Sequence, residues 1–414
     1  MNRFFPKHLN VFIPFALAYF LSYFYRVVNA VIAPNLTADL QIGPADLGLL
    51  TSTYFIAFAS FQLPLGVLLD RFGPRRIEAG LLLFAAAGAL SFGLANNLLG
   101  LSIGRALIGL GVSAGYMAAI KAYTLWFPPH QWPRINGLHL AAGGFGAFSA
   151  TLPVEWLLGF TDWRGVFFIL SILTIMVAAI IFFAVPEKKQ DVGHLRLREQ
   201  LQGVAQVFTN RLFWKIAPLA TISQATAMAL QGLWAGPWLR DMAGMDRHQA
   251  AGVLFWASVS MTAGFVVIGF MTERLNRIGI KSLTTGVGSM FIFMVAQFLL
   301  MVLPSGWAMP LWIFFGFMGT AGAVLYPALT MNFPAHLAGR VSTGLNVLVF
   351  GMTFVAQWGI GAVIGLFPLT ASGGYSPQGY QTGFAILLGL QALGLVWTFL
   401  LDRLPSSKTP DPIA

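Results

Sequence analysis

The chain has 414 residues, of which 57% are hydrophobic, 14% aromatic and only 9% charged. A soluble domain carries about 25% charged residues, so this composition excludes a water-covered globule of this size, and with it a disordered chain. There are no cysteines, which excludes disulfides, thiol catalysis and cysteine metal sites.

A short polar start, Met1 to His8, runs into an apolar stretch too long for a signal-peptide core and without a small-residue cleavage site, so it reads as an uncleaved first span. Apolar runs of spanning length follow in order at about 11–34, 47–69, 77–95, 98–126, 135–158 and 165–185. A polar stretch at about 186–212 comes next. Six more runs lie near 213–238, 250–272, 282–303, 308–331, 342–367 and 380–402. The runs are continuous and lack period-2 alternation, so they predict helices and not barrel strands. The expected fold class is an all-α membrane protein of twelve transmembrane helices in two six-helix bundles. The domains are an N-terminal bundle over 1–185, a cytoplasmic linker over 186–212 and a C-terminal bundle over 213–414. In the linker, Leu197, Leu201, Val204 and Phe208 recur at helical spacing and predict an amphipathic surface helix.

The net charge of +10 is an asymmetry between faces. With both ends inside, eighteen of the 24 Lys and Arg residues fall on the inner side, among them Arg71, Arg75, Arg76, Arg134, Arg274, Arg277 and Arg340. The outer loops hold Arg164, Arg240 and Arg247, and the spans hold Arg26, Arg105 and Lys121. This bias satisfies the positive-inside rule for a multi-pass protein of the inner cell membrane with cytoplasmic termini. It accounts for the basic charge without nucleic acid.

The halves repeat. Phe127-Pro128-Pro129-His130 with Arg134 returns as Phe333-Pro334-Ala335-His336 with Arg340, at an offset of 206 residues. Gly66 to Asp70-Arg71 returns as Gly269 to Glu273-Arg274, at an offset of 203. Parallel six-span repeats are a transporter architecture. The segment Gly66-Val67-Leu68-Leu69-Asp70-Arg71-Phe72-Gly73-Pro74-Arg75-Arg76 resembles the signature loop of the major facilitator superfamily. Arg105 with Gly109, Gly111 and Gly115 is similar to that superfamily's second motif. The resemblance implies a gating role for Asp70, Arg71 and Arg75, with Asp70 facing the start of span 11. It also implies a central path lined by spans 1, 4, 7 and 10.

An ionised side chain inside the bilayer costs several kcal/mol unless it meets a partner or water. Arg26 lies deep in span 1, too far from either interface to snorkel easily, and its planar fork suits a carboxylate or phosphate. The pattern Tyr25-Arg26 with Asn29 resembles the first span of organophosphate:phosphate antiporters and anion:cation symporters. That resemblance implies an anionic substrate on Arg26. Two features of those subfamilies are missing: span 7 has no arginine, and Val112 stands where the symporters carry a glutamate. Further substrate-binding candidates are Asn29, Lys121, Gln231, Trp234, Tyr54 and Tyr326. Gln231 and Trp234, one turn apart, are expected to share a face. Coupling candidates are Glu155, His139 and Arg105; an imidazole titrates in the physiological range, and Glu155 has Arg105 or Arg164 as expected alternative partners.

The expected function is proton-coupled secondary transport of a small organic anion by rocking of two bundles, by a monomer in contact with lipid and with no cofactor. A proton-driven drug exporter is the nearest rival, disfavoured because span 5 lacks a GPxxGG-like motif. A non-transporting sensor is the other. An enzyme is disfavoured: no metal constellation, nucleophile elbow or phosphate loop stands out.

Overall fold

The structure, a computed structural model, describes residues 5–187, 205–334, 337–371 and 373–403. Of the expected linker helix, Leu197, Leu201 and Val204 lie outside the described residues. Phe208 is described, and its ring packs 5.2 Å from that of Phe213 at the start of span 7.

Every regular element among the described residues is helical. Span 1 is Phe5–Leu40. Spans 2 and 3 form one helical run, Pro44–Leu94, interrupted at Gly73 with φ 78° and ψ 159°. A positive φ of this kind is open to glycine without steric cost, so Gly73 turns the chain between two spans and Pro74 starts the next. Span 4 is Leu98–Gly111 and Gly115–Trp126; span 5 is Trp132–Ser149 and Leu152–Leu157; span 6 is Trp163–Ala184. Span 7 is Arg211–Ala229, a π turn at Leu230–Trp234 and Ala235–Asp241. Spans 8 and 9 are Arg247–Arg277 and Ser282–Val302. Span 10 is Ala308–Gly319, a 3₁₀ turn at Thr320–Val324 and Leu325–Thr330. Spans 11 and 12 are Ala338–Ile364 and Pro377–Arg403.

Eight helices among the described residues are individually long and apolar enough to cross a membrane. The expected twelve are reached because Gly73 splits one of the eight and because spans 5, 7 and 10 are broken into shorter pieces. Such breaks survive in a bilayer only where protein or a cavity re-satisfies the backbone. Loop-side starts are capped: Asn97 and Asp162 accept from the Gly100 and Gly165 backbone, and Asp246 with Gln249 forms a reciprocal capping box at span 8.

The lipid-facing surface is apolar, as at Phe183, Leu83 and Leu393. Between helices, small residues allow close approach. A Cβ on Gly109 would fall 2.1 Å from the Tyr54 carbonyl oxygen, joining spans 2 and 4. One on Gly144 would meet Thr262 at the same distance, joining spans 5 and 8.

Candidate functional site

We call the face bearing Arg71, Arg75 and Arg76 the basic face. Hydrogen bonds and ion pairs found between described residues of the two halves lie toward the opposite face. Arg247, at the start of span 8, donates to Asn35 Oδ1 at 2.7 Å and lies 3.3 Å from the Glu155 carboxylate. Gln357 of span 11 donates to Thr51 Oγ1 at 2.7 Å. Phe58 and Phe350 stack across the same seam with centroids 4.1 Å apart.

Inside this seal lies a cavity of about 520 Å³, counting the part open to solvent. Its walls are Tyr23, Arg26 and Val27 of span 1, Gln224, Met228 and Gln231 of span 7, Met261 and Phe265 of span 8, and Gly319 and Thr320 of span 10. Spans 1, 7 and 10 line it as expected. Span 8 contributes Met261 and Phe265, and span 4, also expected, contributes no residue to this wall.

Arg26 is the cationic side chain in that wall. Its guanidinium carbon sits 4.5 Å from the Tyr23 ring centroid, 5.4 Å from Phe350 and 5.8 Å from Phe58. Rings at this range attract a cation through their quadrupole, by about 0.5–2 kcal/mol each, yet none supplies an anion. Among the described residues no carboxylate pairs with Arg26, and its buried Nε lacks a hydrogen-bond partner. The guanidinium is thus surrounded by aromatic faces and shares a side-chain hydrogen bond with Tyr54. Tyr326 lies near enough to Arg26 and Tyr23 to interact electrostatically. Gln231 is 7% exposed, in the cavity wall, and its Nε2 has no partner.

Other sequence-derived candidates lie elsewhere. Trp234 is fully buried behind the cavity, its indole N–H donating to the Gln357 carbonyl at 2.9 Å. The π turn explains why it does not share a face with Gln231: one extra residue in the turn shifts the register. Asn29 is fully buried with neither polar atom partnered and does not line the cavity. Tyr54 of span 2 is outside the cavity wall but beside Arg26, with which its side chain shares a hydrogen bond, and its hydroxyl lies 3.3 Å from the Ser22 carbonyl oxygen. Arg105, 1% exposed, donates to the Tyr25 carbonyl at 3.0 Å and stacks 5.0 Å from the Tyr54 ring. It braces spans 1, 2 and 4 from behind.

Lys121 does not reach the cavity; its ammonium is ion-paired with Asp70 at the basic face. Among the described residues, Asp70 is therefore engaged by span 4, where the expected partner was the start of span 11. Arg75 donates to the Val185 carbonyl at 3.1 Å and Arg76 pairs with Glu187 at 2.7 Å, while exposed Arg71 lies 5.1 Å from the Phe72 ring. Glu155 pairs with Arg247 and with neither expected arginine. His139 is fully buried, its Nδ1 3.0 Å from the Tyr123 hydroxyl. Sequence reasoning missed Glu78, which is 0% exposed with both carboxyl oxygens unpartnered. Among the described residues no group of three or more His, Asp or Glu side chains is placed to hold a metal ion.

The model of the Major Facilitator Superfamily matches residues 15–357. The chain is 24% identical over 402 residues to the probable sulfoacetate transporter SauU of Cupriavidus necator, covering 85% of this chain and 91% of that one. It is 23% identical over 418 residues to the hexuronate transporter of Escherichia coli K12, covering 92% and 91%. Among solved structures, a bacterial homolog of the human lysosomal transporter Spinster, in an inward-facing and unoccupied conformation, superposes with a TM-score of 0.77 at 17% identity, covering 96% of this chain and 98% of that one.

Proposed function

The chain belongs to the major facilitator superfamily and is a secondary transporter, not an enzyme, and we propose that its cargo is a small organic anion carried together with protons. The observation that carries this reading is Arg26: a guanidinium in the cavity wall, fixed by three aromatic rings and paired with no carboxylate among the described residues. An anion entering the cavity supplies the missing counter-charge, and a charge-assisted hydrogen bond of this kind contributes about 1.5–3 kcal/mol. The cavity wall holds one arginine, and the residue 206 positions on from Arg26 is Gly232. One cation suits a single carboxylate or sulfonate better than a doubly charged phosphate. The relatives named for sulfoacetate and hexuronate transport support the broader class of organic anions: hexuronate carries one carboxylate, sulfoacetate a carboxylate and a sulfonate.

Transport follows by alternating access. The chain lies in the cell membrane with its basic face and both termini toward the cytoplasm, as the charge bias favours. Closure at the opposite face, through Arg247, Glu155, Asn35 and the Thr51–Gln357 bond, leaves the cavity addressed from the basic side. The Asp70–Lys121 pair and the neighbouring arginines then belong to the element that changes when the basic side closes.

The test is counterflow of labelled glucuronate and sulfoacetate in proteoliposomes. Wild-type protein is expected to exchange at least one of them, and Arg26→Ala to lose about 10- to 150-fold in apparent affinity, the factor for 1.5–3 kcal/mol. Normal exchange by Arg26→Ala in a folded sample refutes the assignment.

A further inference from the structure

We infer that Glu78 is the proton-binding site that drives this transporter, an assignment that rests on the reading of the chain as a proton-coupled anion carrier. Glu78 lies in the run Pro44–Leu94, four residues past the Pro74 that opens span 3, and is 0% exposed. Neither carboxyl oxygen has a hydrogen-bond partner. An unpaired carboxylate without water or a cation is among the most costly groups a protein interior can hold, and a proton removes that cost.

The basic groups nearby in the chain do not relieve it. Arg75 and Arg76 turn to Glu187 and the Val185 carbonyl, and Lys121 is taken by Asp70. Tyr19 of span 1 and His139 of span 5 approach Gly115, as Glu78 does, and Tyr123 of span 4 lies near Glu78. A Cβ on Gly115 would stand 3.8 Å from Glu78 Oε1 and 3.7 Å from the Tyr19 ring. The His139 ring interacts with the Gly115 backbone, and Tyr123, close to Glu78, shares a hydrogen bond with His139. The unpartnered carboxyl group and the imidazole, bonded to Tyr123 and to the Gly115 backbone, thus approach the same glycine.

This cluster is wired to the cavity. His139 stacks on Tyr19 with centroids 4.3 Å apart, Tyr19 meets Tyr23 edge-on at 5.1 Å, and Tyr23 carries the Arg26 guanidinium at 4.5 Å. Gly143 makes the relay possible: any Cβ there would sit 2.6 Å from the Tyr19 ring and 2.9 Å from that of Tyr23. Binding a proton at Glu78 changes the charge at one end of this aromatic stack, and binding an anion changes it at the other. In this conformation the proton resides on the Glu78 carboxyl. It leaves when the spans around Gly115 separate and admit water.

Infrared difference spectroscopy of the full-length protein on acidification reads the site without any substrate. A carboxylic acid C=O band that titrates in wild type and is missing in Glu78→Gln is the expected result; the same band in both overturns the assignment. In proteoliposomes, with glucuronate and sulfoacetate as probes, an inward gradient of one pH unit supports about tenfold accumulation at one proton per anion. Glu78→Gln is expected to fall to about onefold while keeping counterflow. Arg26→Ala loses both, so the substrate reading and the proton site fail separately. Accumulation at the wild-type level in Glu78→Gln, or loss of its counterflow along with its accumulation, overturns the proton assignment.

Discussion

Gly236→Ala should pry the two halves apart at the face opposite the signature loop. Gly236, in the last segment of span 7, lies against span 1 so closely that an added Cβ would stand 2.1 Å from the Ala30 carbonyl oxygen. Ordinary contact begins at 3.4 Å, so one helix must retreat by about 1.3 Å. The obstructing atom is backbone and cannot rotate away. Overpacking of this kind costs about 1–3 kcal/mol, but only in the conformation closed at that face. The equilibrium should therefore move toward the oppositely open state by about 5- to 150-fold. The native chain has no cysteine, so spin labels at Phe160→Cys and Trp307→Cys, both exposed beside opposite-face loops, report the separation without background. Electron–electron distance distributions are expected to move to longer values in Gly236→Ala. They should stay fixed in the control Gly252→Ala, where nothing lies within 4 Å of the new methyl. Superimposable distributions in Gly236→Ala and wild type would refute the idea that this glycine contact closes the opposite face.

Trp234→Phe removes the donor to the buried Gln357 carbonyl and should cost about 1–3 kcal/mol of stability. Thermal unfolding in detergent should show the loss, whereas anion affinity should not change, because the indole does not line the cavity. The Asp70–Lys121 pair has side chains 36% and 21% exposed, so solvent screening limits it to about 0.2–1 kcal/mol. A double-mutant cycle with Asp70→Asn and Lys121→Gln should give a coupling energy in that range; strictly additive effects would mean that the pair does not act as a unit.

Much of the fold can be read from the chain, because in lipid the apolar run is the structural rule and glycine or proline only bends it. The breaks are less legible. Nothing in Leu230–Trp234 announces a π turn, and that extra residue is why Gln231 and Trp234 part company. Arg26 is legible because a lone cation in an apolar run has few structural uses. Lys121 looks the same in sequence, yet Asp70, 51 residues earlier, claims it; pairing across helices is a property of packing, not of local pattern. Glu78 is hidden by the opposite circumstance. Two residues after Arg76 it looks like part of a wet loop, but Gly73 turns the chain so early that span 3 has already begun and carries it inside. The unpartnered oxygens are the signal, and only coordinates contain it.

The central claim is that Arg26 reads negative charge, and the most direct measurement compares binding of glucuronate with that of its neutral amide, glucuronamide, to wild type and to Arg26→Ala. The account predicts that wild type prefers the anion by about 10- to 150-fold and that Arg26→Ala binds the two alike. A preference for the anion that survives intact in Arg26→Ala would contradict it.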